Sequence, residues 1–269
     1  MTAVISTNYD DRYLWYLPLT VWAWNKIGCD VVCFMPPIPN GQEVKHNLIR
    51  EMFKQNGATV RMEVFTAVED KQATYCQVSR LLACCLDLPE ETQLVVSDID
   101  MLFFPKDYIK PASWMVIDIY GSDLVPQNQF PMCYLSATVQ TWRALWKERK
   151  TYQEYLDEIV GSIECQDFRG CQWSLDQDLI HRLIVNSEDV DYIKHPRSNG
   201  KNQWATRRYD RDDSFILDRL NPETIDYHMN RPGYEQANFD IILQILSYHY
   251  PAEDFTWLVN FTNEYKKLL

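Results

Sequence analysis

Apolar and polar positions along the first hundred residues fall into alternating blocks of two kinds. Ala3 to Ser6 is a short buried-strand pattern, and it runs into the polar turn Thr7-Asn8-Tyr9-Asp10-Asp11. From Tyr13 to Lys26 the residues Leu14, Leu17, Val21 and Trp24 recur three and four apart, which predicts a helix closed by Gly28. Asp30 to Met35 reads as a second strand and Gln42 to Gln55 as a helix stopped by Asn56-Gly57. Thr59 to Val64 is a third strand. Thr74 to Leu86 is then a helix that carries Tyr75, Ser79 and Arg80 towards a fourth strand, Gln93 to Ser97.

The second half is less regular. Trp114 to Ile119 and Pro131 to Leu135 are strand patterns, whereas Thr138 to Glu148, Tyr152 to Val160 and Asp176 to Ile184 are helical. Ser198 to Asp213 is dense in charge, with Arg207, Arg208, Asp210, Arg211, Asp212 and Asp213 close together, and reads as an exposed loop. Glu235 to Tyr248 and Asp254 to Leu269 close the chain as helices. This strand-helix rhythm predicts an α/β fold, a central mostly parallel sheet flanked by helices on both faces. Sites on such sheets lie at the carboxyl ends of the strands.

Composition narrows the function. A chain of 269 residues suits one large α/β domain spanning 1–269, and 26 Lys plus Arg against 38 Asp plus Glu leave a formal charge of -12. No nucleic-acid partner is expected of that balance, and an anionic small substrate would need a local device such as a bound cation. The eight cysteines show no CxxC and no zinc spacing with histidine, as expected of reduced thiols in a cytoplasmic protein. The opening residues turn polar too early for a signal peptide, and no apolar run has the length of a transmembrane segment. Asn260-Phe261-Thr262 matches a glycosylation sequon, a common chance triplet.

Three segments carry candidate chemistry. In Leu94-Val95-Val96-Ser97-Asp98-Ile99-Asp100-Met101-Leu102 an apolar strand runs directly into two carboxylates and apolar sequence resumes at once. Buried carboxylates need a compensating partner, and a hard divalent cation, Mn2+ or Mg2+, supplies one while also gripping phosphate oxygens. The plain alternative is a strand end where Asp98 caps a turn and Asp100 meets solvent. Ile225-Asp226-Tyr227-His228-Met229-Asn230-Arg231-Pro232-Gly233 places His228 at the end of a short apolar segment; alone it reads as an ordinary hydrogen-bonded histidine, and in the company of the two acids as a third metal ligand. Trp173-Ser174-Leu175-Asp176-Gln177-Asp178 reads either as a capped helix start with acids in its first turn or as the floor of a sugar site.

In this order the three segments resemble the GT-A glycosyltransferases, a Rossmann-like fold, and most closely the retaining, family 8-like group that includes glycogenin and bacterial lipopolysaccharide galactosyltransferases. The resemblance spans about Ala3 to Tyr234 as sparse motifs. It implies a nucleotide-binding half, 1–104, and an acceptor and sugar half, 105–269. It further implies a metal held by Asp98, Asp100 and His228, with Ile99 between the two acids at the nucleotide. Thr7 and Asn8 would bond the base, and either Tyr9 or Tyr13 would stack on it. Tyr75 and Arg80 sit where the family contacts ribose or phosphate, and an arginine binds phosphate bidentately. The family's Asn-Ser-Gly segment survives only as Cys133-Tyr134-Leu135-Ser136-Ala137, leaving Ser136 as its remnant. Its diphosphate lysine is missing, with Arg231, Arg207 or Arg208 as replacements.

The implied reaction moves a sugar from a nucleoside diphosphate, a UDP-sugar by resemblance, to a hydroxyl of a glycan acceptor. Retention leaves Gln177 to stabilise positive charge on the sugar, whereas inversion would need Asp176 or Asp178 as base. The Asp-Gln pair favours retention. The rivals are a haloacid-dehalogenase-type phosphatase, whose nucleophilic Asp-X-Asp normally opens the domain, and an inactive glycan-binding module. Trp173 and Trp204, each among polar residues, are candidate sugar-stacking rings.

Overall fold

The computed structural model describes residues 1–104, 108–123, 125–147, 150–163, 172–196, 208–210 and 224–269. Within them the strands are β1 (Thr2–Ser6), β2 (Asp30–Met35), β3 (Arg61–Val64), β4 (Gln93–Val96), β5 (Met101–Phe103), β6 (Val116–Tyr120), β7 (Tyr134–Thr138), β8 (Asp191–His195), β9 (Arg208–Asp210) and β10 (Asp226–His228). The helices are α1 (Asp11–Leu14), α2 (Leu17–Lys26), α3 (Glu43–Asn56), α4 (Gln72–Ser79), α5 (Val139–Trp146), α6 (Tyr152–Ile159), α7 (Leu175–Val185), α8 (Gln236–His249) and α9 (Thr256–Lys266).

Seven strands form one sheet in the order β3-β2-β1-β4-β7-β6-β8. The pairs β3/β2, β2/β1, β1/β4 and β6/β8 are parallel, and β7 alone runs against its neighbours β4 and β6. Two-residue alternation divides the central strands between two cores. Ala3, Ile5, Val31, Cys33 and Met35 face a core shared with α2, α3, α8 and α9, while Val4, Val32 and Phe34 face one shared with α4, α5, α6 and α7. The expected α/β architecture, a mostly parallel sheet between helical layers, is the one observed.

Several boundaries differ from the sequence expectation. The helix expected over Tyr13 to Lys26 is two helices, because the chain bends at Trp15-Tyr16 and Pro18 restarts it in the first turn of α2. The helix expected over Thr74 to Leu86 is α-helical only to Ser79 and tightens to a 3-10 turn over Arg80–Cys85. The strand expected at Pro131 to Leu135 lies three residues later, as β7, where its ladder with β4 runs up to Thr138, whose hydroxyl caps α5. β8 was not anticipated, since an edge strand reading Asp-Tyr-Ile-Lys-His and largely exposed has no apolar run to announce it. Part of the charged stretch expected as loop is the strand β9, and the rest of that stretch after Pro196, with Trp204 and Arg207, lies outside the described residues apart from β9.

A second, three-stranded sheet, β5-β10-β9, stands on the end of β4. β5 and β10 are antiparallel with Phe103 opposite Asp226, Leu102 opposite Tyr227 and Met101 opposite His228. The ladder continues at both ends, where the Phe104 amide donates to the Ile225 carbonyl at 3.0 Å and the Met229 amide to the Asp100 carbonyl at 2.9 Å. It packs on aromatic rings: Trp24 stacks on Phe103 at 5.2 Å, and His249 of α8 lies flat on Phe104 at 4.0 Å beside Tyr227.

His249 makes this junction sensitive to pH. Burial pulls its imidazole down from 6.5 to about 4, so the folded chain keeps it neutral where an unfolded chain would protonate it. Its contribution to stability is therefore complete above about pH 6.5 and is lost as the pH falls towards 4. Urea denaturation of the wild type and of His249→Phe across pH 4–7 tests this. The variant, which keeps the ring stack, is expected to show a shallower loss of stability on acidification, and parallel curves would refute the assignment.

Candidate active site

The chemistry-bearing residues collect where β4 ends. Ser97 and Ile99 are buried, and the turn that presents Asp98 and Asp100 is pinned from below: the Thr20 hydroxyl of α2 donates to the Ile99 carbonyl at 2.5 Å. This contact orients the peptide between the two acids, and a threonine inside an apolar helix gives no hint of it in sequence.

One side of the cluster is built on Arg80, whose side chain is 5% exposed. Its guanidinium donates to the Asp98 carboxylate, to the Ser97 carbonyl at 3.0 Å and to Asp176 Oδ2 at 2.8 Å, and its Nε reaches the Gln77 carbonyl at 3.3 Å. The 3-10 turn at Arg80 thus ties α4 to both β4 and the start of α7. Burial works against the guanidinium charge, yet Asp98 and Asp176 hold its pKa above the ordinary value. Burial pushes the Asp176 carboxyl up to about 6, with Asp98 adding to the rise and Arg80 opposing it. Both Asp176 oxygens are engaged, Oδ2 by Arg80 and Oδ1 by the Gln177 amide at 2.9 Å. Ser174 stands at the cap position of α7, but its hydroxyl donates to Asp178 at 3.2 Å instead of capping the helix.

The other side is built on Asp100, which is 4% exposed. The β5/β10 register sets His228 diagonally across from it, with Nε2 at 3.3 Å from Asp100 Oδ2, and Arg231 Nε reaches the same oxygen at 3.2 Å. Arg231 also bonds the Tyr13 hydroxyl and lies 4.6 Å over the Tyr13 ring. Burial, with Arg12 adding to it and Asp10 opposing, lowers the Arg231 guanidinium to about 10. The turn carrying Arg231 rests on the bend between α1 and α2: the Tyr16 hydroxyl donates to the Asn230 carbonyl, and a side chain at Gly233 would meet the Trp15 ring at 2.4 Å. Tyr16 reads in sequence as one more core aromatic.

The remaining expected residues separate into two groups. Thr7, Asn8 and Tyr9 form the turn after β1, in which the Thr7 amide donates to the Phe34 carbonyl at 3.0 Å and the Asp10 amide to Asn8 Oδ1 at 3.2 Å. The Tyr9 hydroxyl pairs with His46 at 3.2 Å. Tyr75 and Ser136 are engaged away from the acids. Tyr75 is buried against Phe65 and donates to Asp157 at 3.2 Å, and the Ser136 hydroxyl accepts from Gln93 at the opposite end of β4. Arg208 stands on β9 beside Asp226.

The donor set suits a divalent cation in kind: two carboxylates and an imidazole. Neighbouring ligands each about 2.1 Å from a six-coordinate ion stand roughly 3.0 Å apart, and the Asp100–His228 separation of 3.3 Å is close to that. Asp98 is drawn to Arg80 instead, and among the described residues no three His, Cys, Asp or Glu side chains converge tightly enough to hold an ion. No helix among them is long and apolar enough to cross a membrane.

No family model and no curated protein matches the chain. Solved structures do. An active-site mutant of LgtC matches with a TM-score of 0.51 at 12% identity, over 92% of this chain and 96% of that one. LgtC is described as a galactosyltransferase in its complex with donor and acceptor sugar analogues, which matches at a TM-score of 0.49 and 12% identity over the same 92% and 96%. The apo WbbM bifunctional glycosyltransferase matches with a TM-score of 0.54 at 11% identity over 98% of this chain, which spans 51% of WbbM. The fold is that of the GT-A glycosyltransferases.

Replacing Arg80 with Met would strand Asp176 as a buried, uncompensated carboxylate, at a cost of about 3–5 kcal/mol. Urea midpoints should show a loss of that order for Arg80→Met and a partial recovery when Asp176→Leu is added. A near-neutral single variant would mean that the ion pairs do not hold helix and strand together.

Proposed function

We propose that the chain is a metal-dependent glycosyltransferase that moves a sugar from a nucleoside-diphosphate donor, a UDP-sugar, to a hydroxyl of a glycan acceptor with retention at the anomeric carbon. The observation that carries this reading is the β5/β10 register, which brings His228 against Asp100 across more than a hundred residues of sequence and beside a buried Arg-Asp cluster. Such an expense in buried charge is repaid when the charges meet a ligand.

In this reading Asp98, Asp100 and His228 would hold Mn2+ or Mg2+, which supplies a counter-charge to the diphosphate as it leaves. The chain's own residues do the rest. Thr7 and Asn8 present their polar groups to the base, and Tyr13, already beneath the Arg231 guanidinium, offers a ring beside it. Arg231 takes the place of the missing lysine and supplies a fixed cation to the diphosphate. Arg80 keeps Asp98 and Asp176 in position, and Gln177, next to Asp176 at the start of α7, meets the sugar.

Retention is favoured because Asp176, although burial raises its pKa to about 6, is buried with Oδ2 bonded by Arg80 and Oδ1 by the Gln177 amide, and so is not open to an acceptor hydroxyl. In the inverting alternative that role falls to Asp178.

Calorimetry with UDP tests the reading. Wild type is expected to bind UDP only with manganese or magnesium present, and Asp100→Ala should weaken that binding by more than roughly a hundredfold while the circular dichroism spectrum stays native. Arg231→Ala should cost about tenfold in UDP affinity, with Arg231→Lys recovering part of it. Metal-independent UDP binding in Asp100→Ala, or rapid hydrolysis of p-nitrophenyl phosphate by the wild type, would overturn the proposal.

A further inference from the structure

Two tryptophans stand out among the described residues for exposure, Trp114 at 72% and Trp173 at 44%. They lie at opposite ends of the sheet. Trp114 precedes β6 and so sits at the amino end of that strand, whereas Trp173 comes just before α7, three residues from the buried Asp176. Exposing a large indole forfeits apolar burial, and the two positions call for separate explanations.

The backbone at Trp173 is fixed from both sides. Gln172 before it is 2% exposed and accepts a hydrogen bond from the Thr74 hydroxyl, and the Trp173 carbonyl itself accepts from the Gln77 side-chain amide at 3.1 Å. Gln77 in turn gives its own carbonyl to Arg80 Nε at 3.3 Å. One residue of α4 therefore spans from the Arg80–Asp176 pair to Trp173. After Trp173 the chain passes through Ser174 into α7. A half-exposed aromatic ring on a backbone secured at several points is a preorganised surface, unlike a ring on a loose loop.

We infer that Trp173 is the stacking platform for the acceptor, and that the acceptor is a pyranoside presenting an apolar C–H face to the indole. The inference rests on the glycosyltransferase reading and deepens it by naming the residue and the chemical class on the acceptor side. An indole face suits a sugar ring because the C–H groups on one face of a pyranose are apolar while its hydroxyls point outward around the rim. The rim hydroxyls are then left to the polar groups at the start of α7, Ser174 and Asp178. In this arrangement Trp173 binds and orients the acceptor without touching the diphosphate, so it governs acceptor recognition and not donor activation.

The experiment uses lactose, cellobiose and maltose as acceptor probes and UDP-glucose and UDP-galactose as donors, each with manganese. Calorimetric titration reads acceptor binding directly, and donor hydrolysis in the absence of acceptor reads the donor site. Trp173→Ala is expected to weaken binding of the preferred disaccharide and raise its KM by about tenfold, Trp173→Phe by less, and donor hydrolysis should stay unchanged. Trp114→Ala serves as the control and should change neither. Disaccharide binding as tight in Trp173→Ala as in the wild type, or a wild type that binds none of the three, overturns the platform. Wild-type disaccharide binding weakened in Trp173→Ala, with no donor turnover in either protein, would keep the platform while removing the transferase reading.

Discussion

A guanidinium buried between two carboxylates is costly to assemble, and the site in this protein depends on one. Arg80 joins the end of a strand, Asp98, to the start of a distant helix, Asp176, and takes up the Ser97 carbonyl as well. Removing Arg80 would leave the buried Asp176 carboxylate without its counter-charge, so strand end and helix start are held through that one side chain. The helix carrying Arg80 departs from α geometry at that residue, tightening into a 3-10 turn as the side chain reaches the strand end.

The opposite side of the cluster depends on register. In an antiparallel ladder a shift of one residue would turn His228 to the other face. The pairing is secured by hydrogen bonds beyond both strand ends and by aromatic packing, with Trp24 on Phe103 and His249 on Phe104. Asp100 thus meets both an imidazole and Arg231, while the turn bearing Arg231 rests on Trp15 and Tyr16. Core aromatics and site cations are mechanically continuous.

Much of the first hundred residues was legible from sequence. Short continuous apolar runs marked β1, β2 and β4, and the abrupt change from Val96 to Asp98 marked the strand end where two acids collect. Less was legible where short elements take their conformation from neighbours. β8 is charged and exposed, β9 lies in a segment read as loop, and the break between α1 and α2 turns on Pro18 and on the packing of Trp15. Tyr75 and Ser136, singled out by resemblance, are engaged in the core and at the far end of β4, because resemblance gives positions along a chain and not the partners that surround them.

Sequence by itself therefore determined the layered α/β order, the strand that ends in two acids, and the types of residue available for charge chemistry, since these follow from local periodicity and from the cost of placing carboxylates beside apolar runs. Tertiary structure decided which charges meet. Arg80 could have faced solvent, and His228 could have been an ordinary core histidine. Their assignment to Asp98, Asp176 and Asp100 arises from contacts between segments far apart in the chain, and such contacts carry no local pattern.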